Sequence, residues 1–597
     1  MPELHFKGKE FVYNHHLSVP YRPLVIHDDK SAGATHDLNG NLIIHGDNLH
    51  ALKALLPLYS GKVDCVFIDP PYNTGNEGWC YNDNVNSPML KEWLASNPVG
   101  IEDGLRHDKW CAMMWPRLQL LHELLADNGS IFISIDENES QHLRMMLDEV
   151  FGTNGFVAAV VWQKRTSPEA RKKLGPAHDT VFVYSKNPKE VDFSKLERTE
   201  AQIEDFSNPD DDLKGAWSST DMTAQNLDPT KRKDQQYSIK LPNGQVVSPP
   251  PGRCWSMLEG EYLKLKDAGR IWYGVTGEAR PRIKTYLEDS EGVSSWTWWP
   301  NDEVGHNQEA KKEIMEILGA KNPFDYPKPV RLISRILDIA TNDKSIVLDS
   351  FAGSGTTAHA VLNANKKDGG NRRFILVECE NYADTLTAER VRRVMNGYDY
   401  EGMQRDELHR EKLNFTSLKK ADKILAHIAS IENLEAHRFD AIKKEVKDGE
   451  LVVTGEKKIT ARVEGLGGSF TYCTLGDPLD LDGILTGENL PSYEAIGAWL
   501  FHTATGEALN AGGIDMANGY LGESSAFHVW LIYKPELEFL KSRDAALTLN
   551  FAEAIAKAKQ GKKHLVFAPA KYVPNKTLLP LGVEYAPLPF SLYRLEK

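Results

Sequence analysis

Cysteine is scarce in this chain, and its six cysteines have no close neighbours that could share a bond or a metal. They stand singly along 597 residues, without CxxC pairs or nearby histidine pairs. Disulfide frameworks and structural zinc sites need such clusters, so the sequence predicts reduced thiols and neither kind of cross-link. His45, His178 and His306 are also isolated from one another and from acid pairs, which predicts that the protein holds no metal.

Positive charge is also in short supply. The chain has 70 Lys and Arg against 84 Asp and Glu, which gives a formal net charge of -14 at pH 7. A surface that binds nucleic acid along its whole length needs an excess of basic residues to displace phosphate counterions. Any contact with DNA must therefore be made by a local basic patch.

Long uncharged apolar runs that could span a bilayer are absent from the sequence. The first residues, MPELHFKGKEFVYNHH, lack the basic-then-apolar order of a secretory signal. We therefore expect a cytoplasmic protein without membrane contact. Hydrophobic residues make up 41% of the chain, as in ordinary globular proteins, and the length predicts about two to four domains.

Strand and helix patterns alternate in two separate parts of the sequence. Residues 41–135 contain NLIIHG, DNLHALKALLPLY, VDCVFID, WCAMMWPRLQLLHELL and SIFISID, and the pattern resumes near Val330 with VRLISRILDIAT, SIVLDSFAGSG, TTAHAVLNAN and RRFILVECE. Such alternation is typical of a parallel sheet with helices on its faces. It fades between about residues 187 and 302, which predicts an insert with its own small fold. After about residue 396, charged helical and mixed segments predict a separate C-terminal domain.

The strand VDCVFID ends in Asp69-Pro70-Pro71-Tyr72. In a doubly wound sheet, ligands bind beyond the carboxyl ends of the strands, so this turn would face a site. The two prolines have a fixed φ and no N–H, and their carbonyls can only accept hydrogen bonds. The Asp69 carboxylate and the Pro70 carbonyl thus form two acceptors at one rigid place, which complement an NH2 group, and Tyr72 offers a face for stacking a flipped base. The alternative is a strand terminator with a surface aspartate and a packed tyrosine.

A second motif, LDSFAGSGTTAHA at residues 348–360, joins a strand end, a glycine-rich turn and a helix start. Gly353 and Gly355 allow positive φ and close approach of a ligand, and the following helix N-terminus favours an anionic group. A glycine turn without a ligand is the alternative, and a P-loop is disfavoured because the required lysine is missing. About 23 residues further on, the strand FILVECE ends at Glu378, where a carboxylate can accept both hydroxyls of a ribose. The two features together predict an adenosyl cofactor.

Together, the two motifs resemble the signatures of amino-group DNA methyltransferases, and their order resembles the circularly permuted beta class. Further similar pieces are Gly46-Asp47, GSIFISID, VVWQK, HDTVFVYSK and FDYPKP. The layout, with DPPYNTGNEGWCYNDN and a C-terminal domain, is most similar to the modification (Mod) subunits of type III restriction-modification systems. The resemblance implies an α/β, Rossmann-like, circularly permuted S-adenosylmethionine-dependent methyltransferase core, with an inserted target-recognition domain and a mixed α+β C-terminal domain.

From this resemblance we assign residues 1–186 to the catalytic half of the core and residues 187–302 to the target-recognition insert. Residues 303–396 become the cofactor-binding half, and residues 397–597 a C-terminal assembly domain. The resemblance also implies that the protein acts on double-stranded DNA as a homodimer, with a restriction subunit of helicase and nuclease activity as a partner.

Individual site residues follow from the same resemblance. S-adenosyl-L-methionine would lie over the glycine turn, with Glu378 on its ribose, Asp47 near its adenine and Lys328 near its methionine end; the nearby Glu380 leaves the ribose assignment open. The predicted cofactor-binding residues are Asp47, Lys328, Asp349, Phe351, Ala352, Gly353, Ser354, Gly355, Thr356 and Glu378. The predicted catalytic residues are Asp69, Pro70, Pro71 and Tyr72.

The implied reaction is methyl transfer to the N6 amino group of adenine. The lone pair of this amine is delocalised into the ring, and hydrogen bonds to Asp69 and the Pro70 carbonyl would localise it for direct displacement. An aspartate at the first position resembles adenine enzymes, whereas cytosine-N4 enzymes more often have serine there. The alternatives are a cytosine-N4 enzyme, a solitary methyltransferase without a restriction partner, and a DNA-recognition scaffold with weak methylation.

A basic loop, QKRTSPEARKKL, lies between two predicted core strands. Its cations are Lys164, Arg165, Arg171, Lys172 and Lys173. Next to a catalytic edge, such a loop is expected to follow a DNA backbone, although a solvated charged face is the alternative. In the insert, Arg253, Arg282 and Lys284 are among the residues that could contact bases or phosphates.

Overall fold

The computed structural model describes residues 3–34, 36–74, 104–167, 173–225, 232–289, 292–447, 449–479 and 490–588. They form two compact units. The larger one combines Met1–Phe193 with Trp296–Lys597, and the smaller one is Ser194–Ser295. The smaller unit lies within the region predicted as an insert.

A mixed sheet forms the centre of the larger unit and has ten strands in the described part of the chain. They are β1 (Leu24–Ile26), β2 (Leu42–His45), β3 (Val63–Ile68), β4 (Leu125–Ile135), β5 (Phe156–Gln163), β6 (His178–Ser185), β7 (Trp298–Trp299), β8 (Ile346–Asp349), β9 (Arg373–Glu378) and β10 (Thr471–Leu475). Their order across the sheet is β1-β10-β2-β9-β8-β3-β4-β6-β5-β7. The six strands from β10 to β4 run parallel, and β6 is antiparallel to β4 and β5.

Helices cover this sheet. The longer ones are α1 (Asn48–Tyr59), α2 (Arg106–Leu124), α3 (Ser140–Val150), α4 (Asn307–Leu318), α5 (Val330–Ala340), α6 (Thr356–Asp368) and α7 (Glu389–Asn396). The apolar strands β2, β3 and β4 pack with α1, α2 and α3 into one core that includes the fully buried Trp110 and Trp115. Strands that are buried in this way are mostly apolar, as VDCVFI and IVLD are apart from Asp64 and Asp349. Shorter helices span Lys9–Val12, His15–Ser18 and Asn301–Val304.

The two predicted motifs follow neighbouring strands. β3 ends just before the Asp69 turn and β8 just before the glycine turn, and the strands pair through Val347 with Cys65 and Leu348 with Val66. Because they are parallel, both turns leave the sheet at the same edge. The predicted α/β class is confirmed, with the catalytic motif before the glycine turn in chain order.

The predicted boundary at residue 396 does not separate the sheet from the C-terminal part of the chain. β10, at Thr471–Leu475, lies between β1 and β2, antiparallel to the first and parallel to the second. A strand of five residues has too little periodicity to reveal partners more than 400 residues away in sequence. The core sheet is therefore assembled from three parts of the chain.

The rest of the described C-terminal region is built around two further sheets, each accompanied by helices. An antiparallel sheet of Gly397–Lys412, Ala441–Lys447 and Glu450–Glu464 is accompanied by α8 (Ala421–Glu435). A four-stranded sheet of Tyr520–Glu523, Phe527–Leu531, Lys563–Ala568 and Val583–Pro587 packs with α9 (Tyr493–Thr505) and α10 (Leu549–Ala558). Short elements are the helices Phe415–Leu418, Leu537–Lys541 and Asn575–Leu578 and the paired strands Ala546–Leu547 and Ala570–Lys571.

The smaller unit contains short antiparallel strands around an apolar cluster of Met222, Ile239, Trp255, Tyr262 and Ile271. Its elements are helices Glu200–Glu204 and Glu259–Asp267 and strands Trp217–Asp221, Thr223–Gln225, Ile239–Lys240, Val246–Val247, Arg253–Trp255, Ile271–Trp272 and Arg282–Tyr286. The ammonium group of Lys284 is buried between Asp210 and Asp212. Lys284 therefore stabilises this unit internally, while Arg253 pairs with the half-exposed Asp221 at 3.0 Å.

The described cysteines, Cys65, Cys111, Cys254, Cys379 and Cys473, are free thiols. Within the described residues, no helix is both long enough and apolar enough to cross a membrane.

Candidate active site at the carboxyl ends of the central strands

The Asp69-Pro70-Pro71-Tyr72 turn is fixed by a hydrogen bond from α2. The indole N–H of Trp110 donates to the Pro71 carbonyl at 2.7 Å. Asn73, directly after the tetrapeptide, is fully buried and has a φ of 60°, a left-handed conformation that asparagine tolerates better than most residues. The turn therefore leaves the sheet in one defined direction.

Asp69 has one occupied and one unoccupied carboxylate oxygen. The Lys328 ammonium donates to Oδ2. Oδ1 is buried and has no hydrogen-bond partner among the described residues. Burial raises the pKa of the Asp69 carboxyl above its usual value, and the Lys328 ammonium opposes that rise. A buried acceptor without a donor is costly, and a ligand N–H would satisfy it.

Tyr72 is held through its hydroxyl group. This group lies 2.8 Å from Ser134 Oγ and donates to Asp179 Oδ2 at 3.2 Å. Burial, followed by the charges of Asp179 and Asp69, raises the pKa of the phenol well above its usual value, so the hydroxyl stays protonated. The ammonium groups of Lys328 and Lys164 lie 5.0 and 5.8 Å from the ring centroid. The ring is thus fixed at its polar end and has two ammonium groups nearby.

Lys164 lies at this site and makes an ion pair with the buried Asp179 at 2.5 Å. With only 11% of its side chain exposed, Lys164 helps to hold Asp179 against Tyr72. Of the other predicted DNA-contacting residues, Arg165 and Lys173 are described, and Lys173 is exposed. Arg171 and Lys172 lie outside the described residues. Contact of this loop with DNA remains a prediction.

The glycine turn connects β8 to α6. Gly353 and Gly355 have φ values of 50° and 76°, and α6 begins at Thr356. A Cβ at Gly355 would lie 3.1 Å from the Thr387 carbonyl oxygen, so the position accepts little besides glycine. Ala352, in the same turn, donates its backbone N–H to the Val377 carbonyl at 3.0 Å. The turn therefore follows β9 closely.

Two buried carboxyl groups brace this turn. Asp349 accepts from the Phe351 N–H at 3.1 Å and from the Thr357 hydroxyl at 2.6 Å, and burial raises its pKa to about 7. Glu378 accepts from the Gly353 N–H at 2.7 Å, and burial raises its pKa as well. Its second oxygen accepts from the Glu380 N–H at 3.0 Å.

Lys328 contacts the glycine turn directly, whereas Asp47 precedes Asn48, whose side-chain amide donates to the Ser350 carbonyl at 3.1 Å. Asp47 caps α1 by accepting from the N–H groups of Leu49 and His50. Burial would raise the pKa of Asp47, but the Arg117 guanidinium and His50 outweigh it and hold the pKa well below its usual range. The Thr356 hydroxyl donates to the Lys328 carbonyl at 3.1 Å. Lys328 therefore connects the glycine turn, through its backbone, with Asp69, through its side chain.

Several residues that the sequence did not single out complete the site. Ser134 and Asp179 hold Tyr72, and Asp179 belongs to the quoted HDTVFVYSK piece without having been given a role. Arg390, fully buried on α7, donates to Ser354 Oγ at 3.0 Å and to Thr356 Oγ1 at 2.8 Å. The sequence did contain one signal for Arg390: it lies on the buried face of an amphipathic helix. A buried charge needs partners, so this position could have been predicted to make internal hydrogen bonds.

Comparison with known proteins identifies the family of this chain. The model of a DNA methylase family matches residues 63–389, which is more than half of the chain and includes both turns. The chain is 32% identical over 417 residues to the type III restriction-modification enzyme StyLTI Mod subunit of Salmonella typhimurium, covering 66% of this chain and 62% of that protein. It is 30% identical over 374 residues to the EcoPI Mod subunit of Escherichia phage P1, covering 57% of each.

A third relative is the type II methyltransferase M.KpnI of Klebsiella pneumoniae, which is 32% identical over 376 residues, covering 59% of this chain and 83% of the relative. The chain spans about three fifths of the length of the two Mod subunits. The resemblance predicted from the two motifs is confirmed: the chain belongs to the DNA methylase family.

Proposed function

We propose that the protein transfers a methyl group from S-adenosylmethionine to the N6 amino group of adenine in double-stranded DNA, as the modification subunit of a type III restriction-modification system. The observation that carries the reaction is the buried Oδ1 of Asp69, which has no hydrogen-bond partner in the described part of the chain, beside the fixed ring of Tyr72. An exocyclic amino group has two N–H bonds, which suit this oxygen and the Pro70 carbonyl. A base that stacks on Tyr72 would bring its amine to these acceptors.

The glycine turn fits the adenosyl cofactor. Positive φ at Gly353 and Gly355 turns the chain into α6, whose N-terminus favours a carboxylate, and the Glu378 carboxylate at the end of β9 can accept from ribose hydroxyls. Phe351 to Thr356 would line the cofactor, with Asp47 near its adenine. When bound, S-adenosylmethionine supplies a methyl group on a positively charged sulfur, open to attack by a nucleophile.

The residues of this chain prepare the amine. The Asp69 carboxylate and the Pro70 carbonyl accept its two N–H bonds, which draws the lone pair out of the aromatic ring. Because Lys328 already donates to Asp69 Oδ2, the free Oδ1 is the oxygen available to the amine. After methylation the nitrogen must lose one proton, and Asp69, whose pKa is raised by burial, is the acceptor in contact with it.

The choice of adenine follows from the aspartate at the first position of the tetrapeptide, which resembles adenine enzymes. Cytosine N4 is the second candidate, since it presents the same NH2 group. A type III system is supported by the similarity to Mod subunits. We propose a homodimer on double-stranded DNA, with a restriction subunit as the partner that cleaves.

Arg390 gives a test of the cofactor side. We expect Arg390→Met to weaken S-adenosylmethionine binding about 10- to 100-fold, because Ser354 and Thr356 lose the guanidinium that fixes the turn. The variant should also unfold at lower temperature, since Glu313 loses its partner at 3.3 Å. Titration calorimetry and thermal unfolding measure the two effects. Arg390→Lys keeps the charge, so it should restore more of the stability than of the affinity; unchanged affinity in both variants would contradict this role.

The reaction itself is tested by expressing the chain in a bacterial host that lacks DNA methylation and sequencing the genome for modified bases. N6-methyladenine within one short motif is the expected result. N4-methylcytosine would correct the base, and an unmodified genome together with cofactor binding by the purified protein would support the recognition scaffold. Co-expression with a helicase-nuclease gene from the same locus then tests for the restriction partner.

A further inference from the structure

A buried acid behind the catalytic turn has no role in the reaction described above. Glu139 is completely buried, immediately before α3. Its Oε1 accepts from the Asn73 side-chain amide and lies 2.6 Å from His107 Nδ1, and its Oε2 lies 2.7 Å from His142 Nδ1. One carboxylate thus connects the residue after Tyr72 with the first turns of α2 and α3.

The surroundings show how this carboxylate is satisfied. Arg106 Nε donates to His107 Nε2 at 3.3 Å, so this ring nitrogen is the acceptor and Nδ1 carries the proton. Three groups therefore face the Glu139 carboxylate: the Asn73 side-chain amide, the His107 Nδ1–H and Nδ1 of His142. His107, Glu139 and His142 also have the composition and spacing of metal ligands. The guanidinium against His107 and the proton on its Nδ1 favour hydrogen bonding over a cation at this place.

Asn73 needs such an anchor because of its backbone. Its φ of 60° is in the left-handed region, which asparagine adopts more readily than most residues but which remains less favourable than extended or helical backbone unless the surroundings hold it. The Asn73 amide also donates to the Arg106 carbonyl at 3.2 Å, so this side chain is bound both to Glu139 and to the start of α2. Tyr72 is the neighbouring residue, and its ring direction depends on where the chain goes at Asn73.

We propose that Glu139 is a positioning residue, which holds Asn73 in its left-handed conformation and thereby aims Tyr72 and Asp69 at the target amine. This inference rests on the proposed methyl transfer for its kinetic consequence, but the anchoring itself can be measured without activity. Glu139 acts through Asn73 and does not touch the base.

The anchoring is read by hydrogen exchange. In Glu139→Ala, exchange of the Tyr72, Asn73 and Thr74 amides, which follow the two prolines in the peptide 69–74, should rise at least about tenfold, while the glycine turn at 349–356 keeps its protection and S-adenosylmethionine binds as before. Glu137→Ala is the matched control, because Glu137 is an exposed acid two residues away. If exchange in 69–74 is the same in Glu139→Ala and in the wild type, the proposal is wrong, whether or not the protein methylates DNA.

Kinetics separate positioning from general loss of structure. Glu139→Ala should lower kcat about 100-fold with KM for DNA little changed, and Glu139→Gln, which keeps one acceptor oxygen, should recover part of it. Asn73→Gly allows the left-handed backbone without the anchor and should retain about tenfold more activity than Asn73→Ala. Equal activity of the two Asn73 variants would overturn the backbone argument.

One equivalent of a divalent metal in the purified protein, lost in His107→Ala, would show a metal site in place of the hydrogen-bonded anchor.

Discussion

Asp69→Asn is expected to lower the single-turnover rate of methyl transfer about 100- to 1,000-fold, while the affinity for S-adenosylmethionine changes little. Asparagine keeps the size of the side chain, but one of its two polar atoms becomes an NH2 donor, and the negative charge is lost. The amine then loses a charged acceptor aimed at the place where positive charge develops, an interaction whose removal has an effect of this order. The proposed cofactor contacts of the glycine turn do not involve Asp69, so most of them are kept in this variant.

The rate is measured with radiolabelled cofactor and a duplex that contains the motif found by genome sequencing, and cofactor affinity by calorimetry. Asp127→Asn removes the same charge from an exposed position on β4 and serves as the matched control. An Asp69→Asn enzyme as fast as the wild type would remove Asp69 from the mechanism. Loss of cofactor binding along with activity would show that the substitution disturbs the whole site.

Lys328→Met is expected to reduce kcat at neutral pH about 100-fold and to move the acidic limb of the pH-rate profile to higher pH. Burial already raises the pKa of Asp69, and the Lys328 ammonium opposes this rise. Without that ammonium the pKa of Asp69 rises further, and a larger fraction of the enzyme carries a protonated carboxyl that cannot accept the amine. Lys328→Arg keeps the charge and should leave the acidic limb near its wild-type position.

The same substitution has a pH-dependent effect on stability. A carboxyl group whose pKa is higher in the folded than in the unfolded state binds more protons when the protein is folded. Its contribution to stability is therefore present below the unfolded pKa of about 4 and is lost as the pH rises. Because Lys328→Met increases the folded pKa of Asp69, its Tm should fall further below that of the wild type as pH increases above about 4. Parallel Tm curves for the two proteins from pH 4 to 9 would contradict this coupling.

Both turns of the site could be predicted from sequence because each has a local chemical reason. Two prolines after Asp69 and glycines at 353 and 355 mark special backbone wherever they occur, and the apolar strands before them locate both at the edge of a sheet. The side chains that orient these turns could not be predicted in the same way. Asp179 and Arg390 act through contacts that form only in the folded chain. Asp179 contacts Tyr72, which is 107 residues away in sequence, and Arg390 contacts Ser354, which is 36 residues away. Their types alone do not distinguish them from surface charges.

The same limit applies to the fold. Alternating strands and helices predict a parallel sheet, but the pairing of β10 with β1 and β2 is set by tertiary packing and has no local signal. Lys164 shows the corresponding limit for function: a basic loop beside a catalytic edge suggests phosphate contact, yet its first lysine is used to hold Asp179. Charge pattern predicts where cations are, and only the folded structure identifies their partners.

The position of β10 also has a consequence for how the chain folds during synthesis. β1 pairs with β10 in this sheet, and β2 has β10 as its outer neighbour, so both wait for residues 471–475. At a translation rate of about 5–20 residues per second, that wait is roughly 20–90 s after β1 leaves the ribosome. During this time the parallel edge of β2 is exposed to pairing with other chains, as unprotected sheet edges are. Completion of the sheet is thus a late event, and nascent chains interrupted before residue 471 are expected to be the aggregation-prone species of this protein.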